Sequence, residues 1–193
     1  MDNFKNYLNS IYPISDKSYE DLLTTIEVKS YKENEIIDDV GDIPTHYYFI
    51  KFGIVRSYVL KGEEEINLLL SSSDEFIGSY RSLVLNTSSR IGFQCLTDCS
   101  IIRINYQDYI NISFGHKDLT AFNLKALHNL YIKKERRLFS LLSYTPKELY
   151  IRLRRDHDRI DYMISTNQIA SYIGTSPSEL VKYREELLEK NEL

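Results

Sequence analysis

Residues 165–189 constrain the fold most, because they contain two helix starts separated by only a short turn. Thr166 is a candidate cap of the first helix, which carries apolar residues on one face. These are Ile169, Ala170 and Ile173. Gly174 ends this helix, because glycine accepts the left-handed conformation that a tight turn demands. The pattern therefore predicts a short helix that stops at a glycine turn.

A second helix begins directly after that turn. Ser176 at the N-cap, Pro177 at the first helical position and Glu179 three residues past the cap form a capping box in which proline pre-sets φ. Apolar residues then recur at helical spacing. They are Leu180, Tyr183, Leu187 and Leu188. This spacing gives the second helix one buried stripe, with which it packs against the first.

Two short helices joined by a glycine turn are typical of a helix-turn-helix, whose second helix lies in the DNA major groove. If this second helix enters the groove, its exposed early positions face base edges and nearby side chains contact phosphates. The candidate base readers are Ser176, Pro177, Ser178 and Lys182; the candidate phosphate contacts are Thr166, Ser176, Lys182 and Arg184. A helical hairpin that serves only for packing is the alternative, and the pattern favours DNA binding.

The charge distribution agrees with a nucleic-acid partner only when the chain is divided. The net charge is −4. Residues 1–132 hold 12 basic and 18 acidic side chains, whereas residues 133–193 hold 12 basic and 10 acidic ones. The positive charge is concentrated at residues 133–159, just before the helix-turn-helix, where phosphates would lie.

Composition places the chain among soluble globular proteins, with 42% hydrophobic and 27% charged residues. No apolar run approaches the length of a membrane helix, and the first residues lack the layout of a secretion signal. Cys95 and Cys99 have no companion cysteines or histidine cluster, which argues against a metal site and fits a reducing cytoplasm. We therefore expect a cytoplasmic protein with no metal, no resident cofactor and no membrane partner.

The pattern of the first half changes near Glu27. Residues 2–26 predict one or two short helices, and residues 27–105 contain short apolar and β-branched runs broken by turn signals such as Gly53. This arrangement predicts an antiparallel β-roll of about eight short strands. Residues 162–164 are expected to form an extended connector into the helix-turn-helix.

A long helix without glycine or proline is predicted from about Lys117 to Leu142. A narrow apolar seam runs along it, with Lys134 in a gap. The seam residues are Leu124, Leu127, Tyr131, Leu138 and Leu142. Such a seam is typical of a coiled-coil dimer interface, and packing against the chain's own β-roll is an equal alternative. Thr145 and Pro146 open a further capped helix.

Taken together, this layout resembles the Crp/Fnr superfamily of bacterial transcription regulators, and most closely its short members in Bacteroidetes. The most specific segments are YYFIKFGIVRSY around Gly53 and QIASYIGTSPSELVKYR near the end. The resemblance implies an α+β fold with a cyclic-nucleotide-binding-like jelly roll, a long dimerisation helix and a C-terminal helix-turn-helix. The implied domains are residues 1–116, 117–143 and 144–193. It also implies a homodimer on a palindromic operator, with RNA polymerase as a further candidate partner.

Two departures from the family pattern concern the DNA-binding end. Only a few residues follow Glu189, so we expect no full β-hairpin wing after the recognition helix. The family's Arg-Glu-x-x-x-Arg base readers are replaced here by Pro177, Ser178 and Lys182. We therefore expect a different operator.

A third departure concerns the effector. Gly78 matches the family's glycine, but Ser79 stands at the ribose-binding glutamate and Ser89 at the phosphate-binding arginine, with Arg90 and Arg81 close in sequence. A cyclic phosphate buried without a cation is unfavourable. The sequence therefore favours an unknown small-molecule effector, or none, over cyclic AMP.

Other functions are less well supported by the residues. Haem ligation by a lone histidine and a redox pair of Cys95 with Cys99 both stay open, although each residue is more often structural. No catalytic triad, metal-spaced cluster or phosphate-binding glycine loop indicates an enzyme. The main alternative to a regulator is a ligand-binding or interaction module whose helical tail does not read DNA.

Overall fold

The computed structural model describes residues 2–189 and contains a helical N-terminal segment, a β-roll and a helical C-terminal half. The strands are β1 Ile26–Tyr31, β2 Ile36–Asp38, β3 His46–Phe52, β4 Val55–Lys61, β5 Glu64–Ser71, β6 Glu75–Ile77, β7 Gly92–Cys95 and β8 Cys99–Asn105. The helices are α1 Asp2–Ile11, α2 Asp16–Leu23, α3 Tyr80–Leu85, α4 Tyr106–Gly115, α5 Lys117–Ser143, α6 Pro146–Asp156, α7 Ile160–Met163, α8 Thr166–Ile173 and α9 Pro177–Glu189.

The eight strands form two antiparallel four-stranded sheets. Their orders are β1-β8-β3-β6 and β2-β7-β4-β5. Alternate side chains from both sheets meet inside the roll, where Tyr48 and Ile101 of one sheet and Val55 of the other are almost fully buried. The predicted β-roll, ending near residue 105, is thus confirmed.

A second apolar core joins α1 and α2 to the roll and to the start of α5. Phe4 and Leu8 of α1 pack near Phe49 of β3, and the first turns of α5 add Leu119 and Phe122. The early part of α5 therefore packs on its own β-roll, as one of the two sequence-based alternatives predicted.

A third apolar core holds the C-terminal helices together and includes two residues of the roll. Ile169, Ile173 and Leu180 are almost fully buried between the C-terminal helices, in one cluster with Ile54 and Leu96 of the roll. The C-terminal helices consequently dock directly on the β-roll.

Gly53 makes the turn between β3 and β4 possible. Its φ is +99°, in the left-handed region, and an added Cβ would lie 2.6 Å from the carbonyl oxygen of Asp98 and 2.5 Å from Sγ of Cys99. Gly62, in the β4–β5 turn, has a φ of +66° but nothing within 4 Å of an added Cβ. A side chain at Gly62 would therefore cause backbone strain alone, whereas one at Gly53 would cause both backbone strain and steric overlap.

Gly53→Ala is expected to lower the free energy of unfolding by about 2–3 kcal/mol, because it combines an unfavourable φ with overlap of a backbone carbonyl. Gly62→Ala, which adds only the strained φ, should cost about 1 kcal/mol. Urea denaturation followed by circular dichroism measures both values. Equal losses in the two variants would show that the Gly53 site relaxes freely.

The segment before the helix-turn-helix differs from the sequence prediction. Residues 162–164 were expected to be extended, but Tyr162 and Met163 belong to α7, and only Ile164 is extended. Ile160 is buried at the start of this turn, and burial of its side chain supports a helical turn that the short sequence alone does not indicate. Among the described residues, no helix is both long enough and apolar enough to cross a membrane.

Candidate nucleic-acid interface and effector cavity

The helix-turn-helix begins one residue earlier than predicted. Ser165, with an extended φ and ψ, is the N-cap of α8, and its Oγ accepts a hydrogen bond from the backbone N–H of Gln168 at 3.4 Å. Thr166 is therefore the first helical residue, and its predicted role as the cap was wrong. Gly174 ends α8 with a φ of +76°, as predicted.

The start of α9 is exposed, as a DNA-reading helix requires. Ser176, Pro177 and Ser178 are all exposed, and Ser176 Oγ accepts a hydrogen bond from the backbone N–H of Glu179 at 3.2 Å. The Glu179 carboxylate accepts a hydrogen bond from Lys182 Nζ at 2.6 Å. Lys182 is nevertheless 62% exposed, so this side chain is free to exchange Glu179 for a phosphate or a base.

Two of the predicted phosphate contacts are occupied inside the protein. Arg184 donates to Asp161 Oδ1 at 3.1 and 2.5 Å and to Thr166 Oγ1 at 2.9 Å. Its guanidinium also lies against Tyr150. This geometry favours a role for Arg184 and Thr166 in holding α7, α8 and α9 together over the predicted phosphate contact.

The basic run at residues 133–159 is partly neutralised by internal pairing. The pairs are Lys133 with Glu75, Lys147 with Glu186, Arg154 with Asp161 and Arg155 with Asp156. Of the described basic residues in this run, Lys134, Arg136 and Arg159 are exposed and join no salt bridge. Residues 133–159 therefore carry fewer unpaired positive charges than their composition indicates.

The predicted effector residues do not come together in one site. Ser79 and Ser89 are buried, and their hydroxyls bond to Ser82 Oγ at 3.1 Å and to the carbonyl of Ile91 at 2.7 Å. Arg81 and Arg90 are both exposed, Arg81 lying beside Thr87 at 3.5 Å. Of the five predicted positions, only Gly78 lines the large cavity described next.

This effector cavity, as we call it, has a volume of about 590 Å³ and lies between the β-roll, α1, α4 and α5. Its wall is mostly apolar and includes nine aromatic side chains. They are Phe4, Tyr7, Tyr47, Phe76, Tyr80, Phe93, Tyr106, Tyr109 and Phe122. A cyclic nucleotide needs a cation for its phosphate, and neither of the arginines predicted for that role reaches this wall. Its lining residues come from segments far apart in sequence, so no local pattern could have indicated it.

The cationic part of the cavity wall belongs to α5. Lys133 is neutralised by Glu75 at 2.6 Å, and Lys134 is exposed near it. Arg137 donates from Nε to the carbonyl of Leu68 at 3.0 Å and from Nη2 to the carbonyl of Tyr172 at 2.5 Å. Burial lowers the pKa of Arg137. From the sequence alone, Arg137 is only one charge in a basic run, and nothing in the sequence indicates these contacts.

The apolar seam of α5 divides between two faces. Leu127 lines the effector cavity, together with Lys134. Tyr131 is 69% exposed and Leu142 is 79% exposed; Leu124 and Leu138 are also exposed. Leu127 thus faces the cavity, whereas the other seam residues form an exposed apolar surface on α5.

The remaining candidate groups have structural partners. His116 lies between Asp21, at 2.9 Å, and the hydroxyl of Ser18, at 3.0 Å. Cys95 and Cys99 are free buried thiols, and their interaction raises the pKa of Cys95 and lowers that of Cys99. Over residues 2–189, no group of His, Cys, Asp and Glu could hold a metal ion.

Comparison with known proteins shows what this chain is similar to. Residues 28–115 match the family model described as the cyclic nucleotide-binding domain. An uncharacterized protein of Haemophilus influenzae is 28% identical over 104 residues, covering 53% of this chain and 80% of that protein.

Solved structures share the fold over nearly the whole chain. CLP, named as a c-di-GMP responsive global regulator in Xanthomonas campestris, has a TM-score of 0.71 at 15% identity, covering 92% of this chain and 93% of CLP. The catabolite activator protein of Thermus thermophilus has a TM-score of 0.56 at 20% identity, covering 96% and 88%. A crp/fnr-family structure from Eubacterium rectale has a TM-score of 0.70 at 14% identity, covering 94% and 88%.

Residues 28–115 are therefore similar to the cyclic nucleotide-binding domain, and the chain shares the α+β fold of these solved Crp/Fnr-type structures. The resemblance seen in the sequence is confirmed at this level. The closer likeness to members from Bacteroidetes stays a prediction. The positions after Glu189, where a wing would begin, lie outside the described residues.

Proposed function

We propose that this protein is a transcription regulator that binds a palindromic DNA operator as a homodimer. The observation that carries the proposal is the exposed start of α9, presented by α8 and the glycine turn in a helix-turn-helix. The structural neighbours named as regulators support the same role. A contact with RNA polymerase and a cytoplasmic location stay predictions.

The exposed side of α5 supports the homodimer. Leu124, Tyr131 and Leu138 are spaced by seven residues, the repeat that places side chains along one side of a supercoiled helix pair. A second copy of α5 would cover these residues, and a two-fold axis would present two copies of α9 to successive major grooves. The symmetry of the operator follows from the symmetry of the protein.

Selection of bound duplexes from a random pool by the purified, full-length, ligand-free protein tests the proposal. Enrichment of a palindrome is the expected result. Enrichment only in the presence of cyclic AMP would contradict the expectation, based on Ser79 and Ser89, that cyclic AMP is not the effector. If no condition enriches a sequence, the alternative of a ligand-binding module without DNA recognition is favoured.

Lys182→Ala is expected to weaken binding of the selected operator by about three- to tenfold and to lower the salt dependence, because one mobile cation is lost. Ser178→Ala should change preference at one base pair, at about 1–3 kcal/mol, if its hydroxyl reads a base edge. Fluorescence anisotropy with operator and scrambled duplexes measures both effects. Lys17→Ala, which removes an exposed cation on α2, in a different apolar core from α8 and α9, is the control and should leave affinity unchanged. An unchanged sequence preference would remove Ser178 from the base readers.

A further inference from the structure

The charge balance around Arg137 indicates what the effector cavity binds. Its guanidinium is half-buried against the cavity wall, yet its partners are the neutral carbonyls of Leu68 and Tyr172 and the ring of Tyr172, 3.8 Å away. Within residues 2–189, Arg137 forms no salt bridge with a carboxylate, unlike its neighbour Lys133. A buried cation without an anion is unfavourable, so an anionic group entering the cavity would be stabilised there.

The rest of the wall indicates the body of the ligand. Most of the lining side chains are apolar or aromatic, and the volume of about 590 Å³ falls in the usual range of small-molecule pockets. Aromatic walls of this kind bury apolar surface and favour edge and stacking contacts with a ring. A ligand with one acidic group at one end and an apolar body would match both the Arg137 guanidinium and the apolar part of the wall.

Arg137 also connects the cavity to the helix-turn-helix. It joins β5, through Leu68, to α8, through Tyr172, and no other cavity-lining cation among the described residues contacts α8. The same two elements are joined by Asn67, whose side chain donates to the Gln168 carbonyl at 2.9 Å. A group that competes for the N–H donors of Arg137 would weaken one of these links.

We propose that the effector cavity binds an apolar monocarboxylic acid whose carboxylate pairs with Arg137, and that occupancy changes operator affinity through the Arg137 contact to α8. The binding site stands independently of DNA recognition, whereas the change in operator affinity rests on the proposed function. The ligand class is distinct from a cyclic nucleotide, because its acidic group is a carboxylate that pairs with Arg137 of α5, whereas Arg81 and Arg90 lie outside the wall.

Isothermal titration calorimetry with the full chain tests the site, using 2-naphthoate and decanoate as aromatic and aliphatic acids and 2-naphthalenemethanol as a neutral analogue. We expect at least one acid to bind one site per chain, about tenfold or more tighter than the neutral alcohol. A preference for 2-naphthoate would identify ring contacts as the main source of affinity, and a preference for decanoate would identify chain burial. Failure of both acids to bind, or equal affinity for acid and alcohol, would overturn the proposal.

Variants assign the effect to this cavity. Arg137→Met keeps an unbranched side chain and should weaken acid binding about tenfold or more, with little change for the alcohol. Arg136→Met, on the same helix but outside the cavity, is the matched control and should bind the acid normally. Ala126→Trp fills the cavity and should abolish binding of both compounds, even if Arg137→Met proves poorly folded. Normal acid binding by Ala126→Trp would place the ligand elsewhere and overturn the proposal.

The coupling is measured separately on the selected operator. The acid should change operator affinity of the wild-type protein about fivefold or more and should leave that of Arg137→Met unchanged. Unchanged affinity in the wild type would overturn the coupling. Acid binding by a protein that binds no duplex would contradict the proposed function while supporting the binding site.

Discussion

Asp161→Ala is expected to lower the free energy of unfolding by about 3 kcal/mol and to abolish operator binding, because it leaves two arginines without their shared acid. Asp161 Oδ1 accepts from Arg184 at 2.5 Å, and Oδ2 accepts from the Tyr150 hydroxyl at 2.8 Å and lies 3.3 Å from Arg154 Nε. Tyr150 is fully buried, so its hydroxyl would also lose a partner. The side chain of Asp161 is only 16% exposed, which limits rescue by water.

Asp158→Ala is the matched control for this prediction. Asp158 lies three positions before Asp161 but is exposed, and its loss should change stability by no more than about 0.5 kcal/mol. Urea denaturation and operator binding should be measured on both variants. If Asp161→Ala retained wild-type stability, the contacts of Arg184 would have no structural importance, and its predicted phosphate contact would regain support.

The same group of contacts shows why some of the site could not be predicted from the sequence. Arg184 and Asp161 are separated by 23 positions, and their pairing depends on how α7, α8 and α9 pack. A sequence does not distinguish an exposed arginine from a buried one, so a phosphate contact is a reasonable interpretation of Arg184. Arg137 was missed for the same reason, because its partners at Leu68 and Tyr172 belong to two other elements.

Local signals were predicted with much better accuracy. The capping box of Thr145 and Glu148 is present with both of its hydrogen bonds, and α5 runs from Lys117 to Ser143, close to the predicted bounds. Caps and glycine turns depend on residues three or four positions apart, so the sequence contains their full physical cause. Even there, the prediction named Thr166 as the cap, whereas the adjacent hydroxyl residue Ser165 takes that position.

Four of the five predicted effector positions lie outside the cavity for a different physical reason. A family pattern assigns Ser79 and Ser89 to a ligand, but both hydroxyls already have partners in the local chain. The cavity itself is created by the distance at which α5 passes the roll, which depends on α1 and α4 packing between them. The location of the cavity therefore follows from the fold. The identity of the residues that line it depends on the positions of individual side chains, which the sequence does not contain.

Replacement of Tyr131 and Leu138 by glutamate is expected to convert the proposed homodimer to a monomer and to weaken operator binding about 100-fold or more. Both side chains are exposed in the single chain, at 69% and 60%, so the change should leave folding of the monomer intact. In a paired α5, the four glutamates would bring like charges into an apolar interface. Without the dimer, each half-site is bound independently, and the gain from simultaneous binding is lost.

Phe114→Glu provides the control for this variant. Phe114 is apolar and 80% exposed at the end of α4, outside the seam, so its replacement should leave both the dimer and operator affinity unchanged. Sedimentation equilibrium measures the mass, and anisotropy on full and half operators measures the affinity. A doubly substituted protein that remained dimeric would show that another surface forms the interface. A monomer with full operator affinity would show that one α9 helix is sufficient, and the palindrome would then have no structural basis.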